Sequence, residues 1–417
     1  MKRGAIADDF TGATDLAGNW QTTGLRTSVI LGVPESTDAE ALAGADAIVV
    51  ALKSRSIPAA DAVEQSLASA RFLLEAGCEQ LYDKFASTFD STPQGNIGPI
   101  ADALLELTGA PRAVIVPSFP DNGRTVYQGH LFVGSEPLDE SPMRDHPLNP
   151  MRDSSVIRSL GSQSEHAVGL VPLQVVHQGP EAVRRALDRC AADGERLVVV
   201  DAVGNEDLVT IARATAQDRL VTGGSGLALG APSSGGPAPQ VAPVPGRRVV
   251  LSGSASEATR RQVTFAREHL PHQRLDLRQL REDPSAEVCR LVTWVREQWA
   301  ADPQTPVLLY SVGDRADLEH GRALGGEVSA EVEQAMARLA TELSEAGATQ
   351  FMVAGGETSG AALEALGVRR LDVGQRISPG VSWLTGRTAA GREHNFVLKS
   401  GNFGPEDLFV RSWELLA

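Results

Sequence analysis

Short apolar segments alternate with helical patterns along the chain, and this alternation constrains the fold more than any other feature. Strand-like runs occupy 45–52, 113–117 and 197–201 in the first half of the sequence. A helical pattern of apolar residues begins after Pro58 and ends at Gly77, between the first two runs. Strands that alternate with helices favour parallel sheets. The sequence therefore predicts an α/β protein.

A segment rich in proline and glycine divides the chain of 417 residues. Residues 231–246 carry few large apolar side chains, and they cannot form a helix or a central strand. The alternation restarts at 247–251. At about 100–200 residues per domain, the length fits two or three domains. We predict a first domain over 1–230, a linker over 231–246 and a smaller second domain over 247–417, each domain with a mostly parallel sheet flanked by helices.

The charge of the chain narrows the classes of partner. With 38 basic and 53 acidic residues, the formal net charge is −15. This argues against a surface for nucleic acids or anionic membranes, which requires a dense positive field. No apolar run reaches the ~18 residues of a membrane span, and the start does not resemble a signal peptide. Because Cys78, Cys190 and Cys289 are far apart in the sequence, we expect no disulfide framework and no zinc site. This use of cysteine fits a reducing compartment, so we expect a cytoplasmic protein.

Three segments that follow strands in the second half of the chain have the composition of phosphate-binding loops. The clearest joins a strand at 350–354 to a helix through a pair of glycines. Glycines let the backbone approach a phosphate, and the N-terminus of a helix offers unpaired N–H groups. Taken singly, each segment is also explained as an ordinary turn or helix cap. The predicted nucleotide contacts are Ser252, Ser254, Ser256, Gly355, Gly356, Glu357, Thr358, Gly401 and Asn402.

A fourth glycine-rich segment, Gly224 to Gly230, raises an alternative. It follows a strand and contains a GxG sequence, as dinucleotide-binding turns do. Its third glycine comes one position late, and the region ~20 residues on is the predicted linker, which supplies no acidic partner for a ribose. No GxxxxGK[ST] motif occurs in the chain. An NAD-dependent dehydrogenase therefore remains a weaker alternative.

Polar clusters follow four predicted strands in the first half of the chain. Parallel strands gather such clusters at one edge of the sheet, where ligands bind. The basic side chains suit a substrate carboxylate, and the acidic ones can orient a hydroxyl or accept its proton. As single features, these are also ordinary solvated loops, and Asp8 or Asp9 can cap a helix, with Asp8 favoured as the cap. The residues of these clusters are Asp8, Asp9, Arg55, Lys84, Asp90, Asn122 and Arg124.

Longer blocks of sequence combine these residues. They are DDFTGATD at 8–15, DSTPQGNIG at 90–98, NGRTVYQG at 122–129, GGETSG at 355–360 and LKSGNFG at 398–404. Together they resemble the blocks of the four-carbon acid sugar kinase family, over essentially the whole chain. The third block, with the segment that follows it, is similar to the branch of that family that acts on 3-oxo-tetronate.

The resemblance implies a kinase that uses ATP to phosphorylate the terminal hydroxyl of a four-carbon sugar acid. For this branch the acceptor is the 4-hydroxyl of 3-oxo-tetronate, and the product is the 4-phosphate. The first domain would bind the sugar acid, the second would bind ATP, and the active site would lie in the cleft between them. Asp9 and Asp90 are the candidate catalytic residues. Mg²⁺ would accompany ATP, and its protein ligands are not evident from the sequence.

One departure from the family pattern affects the substrate prediction. The wider family often has Asp-Ser-Thr-Leu-Arg-Gly where this chain has Asp-Ser-Thr-Pro-Gln-Gly at 90–95. Without that arginine, the substrate carboxylate would be held by Arg55, Lys84 or Arg124. Kinases for threonate or erythronate stay open as alternatives, as does a non-catalytic sugar-acid binding protein. The expected partners are a small sugar acid and ATP, with no nucleic acid or membrane, and the oligomeric state, a homo-oligomer included, is left open.

Overall fold

The computed structural model describes residues 1–35, 42, 44–89, 91–145, 149–231, 236–317, 319 and 328–416. Within these ranges the chain forms two compact units, Met1–Ala238 and Pro239–Ala417. No helix in the described ranges is both long enough and apolar enough to span a bilayer.

The N-terminal unit is built on a parallel sheet. Its strands are β1 Arg3–Ala7, β2 Thr27–Leu31, β3 Ala47–Ala51, β4 Gln80–Lys84, β5 Ala113–Val116, β6 Arg124–Tyr127, β7 His130–Val133, β8 Glu136–Pro137, β9 Ala167–Val171, β10 Glu195–Val200 and β11 Leu220–Gly223. The order in the main sheet is β2-β3-β1-β4-β11-β5-β10-β9, and every neighbouring pair is parallel. Buried apolar runs such as β3 form central strands because both faces of a parallel sheet are covered.

Helices cover this sheet, as the alternating pattern predicts. They are α1 Phe10–Thr22, α2 Ala59–Glu75, α3 Ile97–Thr108, α4 Val156–Gly161, α5 Leu173–Val176, α6 Pro180–Ala192 and α7 Asn205–Ala214. The apolar core of the unit joins Ile48 and Ile115 of the sheet with Leu73 of α2 and Leu104 of α3.

The order of the strands creates a crevice at the carboxyl end of β1. Strand β1 lies between β3 and β4. The chain places β2 and β3 on one side of β1 and β4 on the other. Crevices form at the carboxyl ends of parallel strands where the order reverses in this way. The residues that directly follow β1, β3 and β4 are therefore brought together.

A small antiparallel sheet, β6-β7-β8, lies beside the carboxyl end of β10. Its first hairpin turns through Gln128 and Gly129, which have φ angles of 52° and 72°. Both backbone N–H groups donate to the buried carboxylate of Asp201, at 2.8 and 2.9 Å. This carboxylate fixes the hairpin that begins with Arg124.

The C-terminal unit contains a second, mixed sheet. Its strands are β12 Arg247–Ser252, β13 His272–Arg274, β14 Val307–Tyr310, β15 Ala348–Ala354, β16 Arg370–Ser378, β17 Val381–Arg387 and β18 Glu393–Lys399. Its helices are α8 Glu257–Arg267, α9 Leu277–Glu282, α10 Pro284–Ala301, α11 Val328–Glu345, α12 Gly356–Leu366 and α13 Leu408–Arg411. In the order β13-β14-β12-β15-β18-β17-β16 the first five strands are parallel, and β17 runs antiparallel to both of its neighbours, β18 and β16. The predicted α/β class with mostly parallel sheets is confirmed.

The segment predicted as a linker has no helix or strand at 236–246, and 232–235 lie outside the described residues. Its last part is held on the C-terminal unit. The Val241 N–H donates to Gln375 Oε1 at 3.0 Å, and the Val244 N–H donates to Asn395 Oδ1 at 2.7 Å.

Candidate active site

Two carboxylates and two cations meet at the carboxyl ends of β1, β3 and β4. Arg55 donates to Asp8 Oδ2 at 2.7 Å and to Asp9 Oδ1 at 2.7 Å. Lys84 Nζ lies 3.2 Å from Asp8 Oδ1 and 3.1 Å from Asp9 Oδ1. The Lys84 side chain is 4% exposed, whereas those of Asp9 and Arg55 are 25% and 28% exposed. We call these four residues the four-charge cluster, and it unites four residues that the sequence predicted singly.

Asp9 also begins helix α1. Its Oδ1 accepts a hydrogen bond from the Gly12 N–H at 3.1 Å, and its Oδ2 accepts one from the Thr11 hydroxyl at 2.8 Å. The sequence favoured Asp8 as the helix cap, and this was wrong. Asp9 is the residue directly before the first helical turn, which is the position that a capping side chain must occupy.

The charges of the cluster determine its proton affinities. Burial alone would raise the pKa of Asp9, but Arg55 and Lys84 outweigh it and hold this pKa well below its usual range. Burial alone would lower the pKa of Lys84, but Asp8 and Asp9 raise it above its usual value. At neutral pH Asp9 is therefore ionised and Lys84 is protonated. A carboxylate with so low a pKa is suited to orienting a hydroxyl and is a weak proton acceptor.

Asp83, next to Lys84 in β4, is a buried titratable residue that the sequence reasoning missed. It is 6% exposed, and burial raises its pKa to about 8, with the charge of Asp8 adding to this effect and Lys84 opposing it. An aspartate inside a predicted buried strand was the signal that could have found it, because such a carboxyl group loses its water.

The segment after β4 contains the second predicted catalytic residue, Asp90, which lies outside the described residues. Phe89 directly before it is 1% exposed and has a φ angle of 52°. A bulky residue rarely adopts this left-handed conformation, and such strain clusters at functional sites. The backbone at Phe89 therefore has a feature that is typical of functional sites.

Gln163 holds the next part of this segment, and sequence reasoning missed it as well. Its Nε2 donates to Ser91 Oγ at 2.8 Å and to the Thr92 carbonyl at 2.6 Å. Its Oε1 accepts from the Gly98 N–H, in the first turn of α3, at 3.0 Å. Because Ser91 Oγ accepts here, its own proton is not used in the bond to Gln163. No local motif identifies Gln163, which is 72 residues from Ser91.

Asn122 and Arg124 lie together beyond the end of β5. The Arg124 guanidinium donates to the Asn122 carbonyl. The Asn122 Nδ2 is buried, and it has no hydrogen-bond partner within the described part of the chain. A buried amide donor without an acceptor is costly unless a ligand supplies one. Asn122 is therefore placed as a substrate-binding residue would be.

The three predicted phosphate-binding loops converge in the C-terminal unit, because they follow the adjacent parallel strands β12, β15 and β18. The Ser254 N–H donates to the Ala354 carbonyl at 3.2 Å, and the Gly355 N–H to the Lys399 carbonyl at 2.9 Å. Ser256 Oγ donates to the Gly401 carbonyl at 2.5 Å. A side chain at Gly401 would come within 2.9 Å of both Ser254 and Ser256, so the loops touch.

Helix α12 begins without a side-chain cap. The residue before it is Gly355, with a φ angle of 119°, and no side chain in the described part of the chain caps the N–H groups of its first turn. Glu357 is exposed in that turn, and Thr358 is buried against Gly253. Such a helix start is suited to an anion. Ser254 and Ser256 are half-buried at this edge, whereas Ser252 is fully buried and its hydroxyl has no hydrogen-bond partner among the described residues.

Other residues of the protein pack closely against the glycines of the turn at 224–230. A side chain at Gly226 would come within 2.6 Å of the Ser118 carbonyl, and one at Gly230 within 2.8 Å of the Leu208 carbonyl. The turn continues into a short 3₁₀ helix, Ser225–Gly230, and not into the α-helix of a dinucleotide-binding unit. These glycines allow the close packing of the turn against its neighbours. The turn is therefore not a dinucleotide-binding motif, which was the feature that supported the dehydrogenase alternative.

Comparison with known proteins agrees with this division of sites. A family model described as a sugar-binding N-terminal domain matches residues 3–231, and one described as a nucleotide-binding C-terminal domain matches residues 249–409. The chain belongs to the four-carbon acid sugar kinase family. It is accordingly a kinase, and ATP is the phosphoryl donor that this class implies.

Relatives with assigned names support the same conclusion over the full length. A protein of Burkholderia multivorans named 3-oxo-tetronate kinase is 44% identical over 425 residues, which cover 99% of this chain and 97% of the relative. A protein of Salmonella typhimurium with the same name is 42% identical, covering 99% and 98%.

Solved structures show the same fold. A crystal structure from Salmonella typhimurium LT2 matches with a TM-score of 0.89 at 42% identity, covering 99% of this chain and 98% of that one. A structure from Haemophilus influenzae matches with a TM-score of 0.80 at 40% identity, covering 99% and 100%.

Proposed function

We propose that the protein transfers the γ-phosphoryl group of ATP to the 4-hydroxyl of 3-oxo-tetronate, forming 3-oxo-tetronate 4-phosphate and ADP. The observation that carries the proposal is the full-length identity of 40–44% to relatives named 3-oxo-tetronate kinase. In this reaction the O4–P bond forms, the bond between the γ-phosphorus and its bridging oxygen breaks, and the hydroxyl proton leaves O4.

The acceptor side of the proposal rests on the N-terminal unit. The C1 carboxylate and the 3-keto group of this sugar acid are hydrogen-bond acceptors, which require donors. The unpartnered Asn122 Nδ2 and the Ser91 hydroxyl proton are donors of this kind. Arg124 supplies a positive charge beside Asn122. We propose that Arg124 binds the substrate carboxylate, because Arg55 and Lys84 form ion pairs with Asp8 and Asp9.

Asp9 is the described carboxylate best suited to orient the 4-hydroxyl. It is partly exposed, it lies between β1 and α1 at the point where the strand order reverses, and its low pKa keeps it ionised. Kinase chemistry depends mainly on positioning and charge stabilisation, so an orienting carboxylate suffices. Asp90 remains a second candidate for this role.

The donor side rests on the converging loops of the C-terminal unit. Backbone N–H groups at the start of α12 would bind phosphate oxygens, with Gly356 allowing close approach. Within the described ranges, no group of three or more His, Cys, Asp or Glu side chains could hold a metal ion by itself. A magnesium site made of phosphate oxygens and one carboxylate fits these residues, with Glu357 as that carboxylate. Bound there, Mg²⁺ would neutralise phosphate charge.

The proposal is tested by an assay of ADP release with purified enzyme, ATP and a panel of four-carbon acids. The panel contains 3-oxo-tetronate, D-threonate and both erythronate enantiomers. We expect release with 3-oxo-tetronate at a kcat/KM at least about tenfold above the others, and a product phosphorylated at C4 by NMR. Equal or higher rates with threonate or erythronate would reassign the substrate within the family. No release with any acid, from a protein that binds ATP, would contradict the proposal.

A further inference from the structure

Lys399, the last residue of β18, is buried with 1% of its surface exposed. Its ammonium donates to Thr259 Oγ1 at 2.6 Å, to Gln262 Oε1 at 2.8 Å and to the Gly401 carbonyl at 3.0 Å. All three N–H groups of an ammonium are thereby used. Each of the three acceptors is uncharged, so the cation is held by dipoles alone.

Among the described residues, no charged group forms an ion pair with Lys399. Helix α8 contributes Thr259 and Gln262, and the loop after β18 contributes Gly401. Helix α13 contributes the ring of Phe409, whose centroid is 6.0 Å from Lys399 Nζ. None of these groups titrates. Burial lowers the pKa of Lys399 to about 7, and no carboxylate within the described part of the chain opposes this effect. A buried cation without a counter-charge is expensive to keep and is therefore unusual in a merely structural position.

The Gly401 carbonyl is the point on which this arrangement converges. It accepts from Ser256 Oγ at 2.5 Å, from Thr259 Oγ1 at 2.7 Å and from Lys399 at 3.0 Å. In a trans peptide the C=O and the following N–H point in opposite directions. The Asn402 N–H is therefore directed away from Lys399. Asn402 is exposed, in a loop that touches the start of the Ser254–Ser256 segment.

We propose that Lys399 is a positioning residue of the nucleotide site, whose buried ammonium fixes the Gly401–Asn402 peptide with its N–H outward toward a nucleotide phosphate. The inference rests on the proposed nucleotide-binding role of this loop. Lys399 would act through Gly401 and without touching the phosphate. Its uncompensated positive charge also favours the approach of an anion, and an anion in turn favours the charged form of the lysine.

This coupling has a measurable consequence. In the free protein at pH 7.5 the lysine is only partly protonated, because its pKa is about 7. A bound triphosphate raises that pKa, so binding takes up protons from the buffer. Proton uptake is measured by titration calorimetry in two buffers of different ionisation enthalpy. A role confined to packing would not produce it.

The experiment uses the full-length protein titrated with MgATP at pH 7.5. The variants are Lys399→Met, which removes the charge, and Lys399→Arg, which keeps a charge that cannot titrate. Lys2→Met, at the start of the N-terminal unit, is the matched control. We expect Lys399→Met to weaken ATP binding at least about tenfold, with the KM for the sugar acid within twofold. Wild type and Lys2→Met should take up the same number of protons on binding MgATP. Both Lys399 variants should take up fewer, because neither has a titrating lysine at position 399.

Two results would overturn the inference. One is a folded Lys399→Met protein with an ATP affinity within twofold of wild type. The other is a proton uptake that is unchanged in Lys399→Arg, which remains informative even where the methionine variant does not fold. Failure of the proposed function looks different, because in that case wild type itself binds no ATP or releases no ADP.

Discussion

At the scale of single residues, the four-charge cluster depends on the absence of a side chain at Gly12. A Cβ atom built on Gly12 would overlap the Lys84 ammonium and the Asp9 carboxylate. Glycine in the DDFTGATD motif is thus explained by the close approach of a lysine to the first turn of α1. The cation can lie against the positive end of this helix because Asp8 and Asp9 both contact it.

Replacing Gly12 by alanine should therefore disrupt the cluster. The new methyl group must displace Lys84 Nζ, which is buried and cannot move into water without breaking both ion pairs. We expect a loss of about 1–3 kcal/mol in stability and a large fall in kcat/KM. Gly161→Ala, at an exposed helix end with space around it, is the control. Equal melting temperatures and activities for the two variants would contradict this explanation.

Gln163 permits a second test at this scale. Replacing it by leucine removes the hydrogen bonds to Ser91, Thr92 and Gly98, so the segment after β4 loses its anchor. At about 1 kcal/mol for each net hydrogen bond, we expect the KM for the sugar acid to rise about tenfold or more, with the KM for ATP unchanged. Gln178→Leu, on an exposed helix end, should leave both constants as they are. A sugar-acid KM within twofold of wild type would leave Gln163 without a role in substrate binding.

At the scale of elements, the nucleotide loops meet because β12, β15 and β18 are neighbours and run in the same direction. The carboxyl end of each strand therefore faces the same edge of the sheet. Helix α12 starts at this edge with free N–H groups, while α8, which follows β12, is capped by Ser256. The two helices thus differ in what they offer to an anion.

Because the first turn of α12 has no side-chain cap, we expect a bulky residue at Gly356 to weaken the binding of ATP. A valine there would block the approach of phosphate to the backbone, and we expect the KM for ATP to rise at least about tenfold. Ala365→Val, exposed in the last turn of the same helix, is the matched control. Steady-state kinetics with ATP varied decide the question, and unchanged ATP kinetics in a folded Gly356→Val protein would remove α12 from the site.

Asp83 in strand β4 makes the free energy of unfolding depend on pH. The folded protein keeps a proton on this carboxyl group up to a pH of about 8, the value of its pKa, whereas the unfolded chain releases it near a pH of about 4. Between these values the folded state binds more protons, so the free energy of unfolding falls as the pH rises. Asparagine at this position does not titrate and removes this dependence.

We therefore expect Asp83→Asn to gain stability relative to wild type as the pH is raised from 5 to 8, by at least about 1 kcal/mol. Scanning calorimetry of both proteins across this range measures the difference in melting temperature. Asp193→Asn, at an exposed helix end, should show no such trend. A difference between Asp83→Asn and wild type that does not change with pH would show that Asp83 is ionised in the folded protein.

At the scale of the whole molecule, the proposed contacts to the sugar acid and to ATP belong to different units. The four-charge cluster lies within Met1–Ala238, and the converging loops lie within Pro239–Ala417. The two family models match the same two parts of the chain. Changes in one unit should therefore affect one substrate and leave binding of the other unchanged.

Asp9→Asn tests this separation. Asparagine still caps a helix, so α1 should form, but the cluster is left with an excess positive charge and the hydroxyl loses its orienting carboxylate. We expect kcat to fall by about 10²–10⁴-fold, with the ATP dissociation constant within twofold of wild type. Asp121→Asn, at an exposed position, is the control. A near-normal kcat for Asp9→Asn would transfer the role to Asp90 or show that the step needs no carboxylate.

Local patterns in the sequence were sufficient for the class of fold and for many of its elements. The run at 45–52 became β3 Ala47–Ala51, and the pattern after Pro58 became α2 Ala59–Glu75. These assignments succeed because apolar periodicity and end signals act over a few residues. The family resemblance and the α/β class were confirmed for the same reason, since long motifs and alternating elements are visible without a structure.

The partners of the site residues were decided by tertiary structure alone. Arg55 meets Asp9 across 46 residues, Gln163 meets Ser91 across 72, and Lys399 meets Thr259 across 140. Such contacts depend on which strands are neighbours and in what register, and no periodicity in a segment contains that information. The sequence could therefore predict that Arg55 and Lys84 lie near an anion, while only the folded sheet showed that the anions are Asp8 and Asp9.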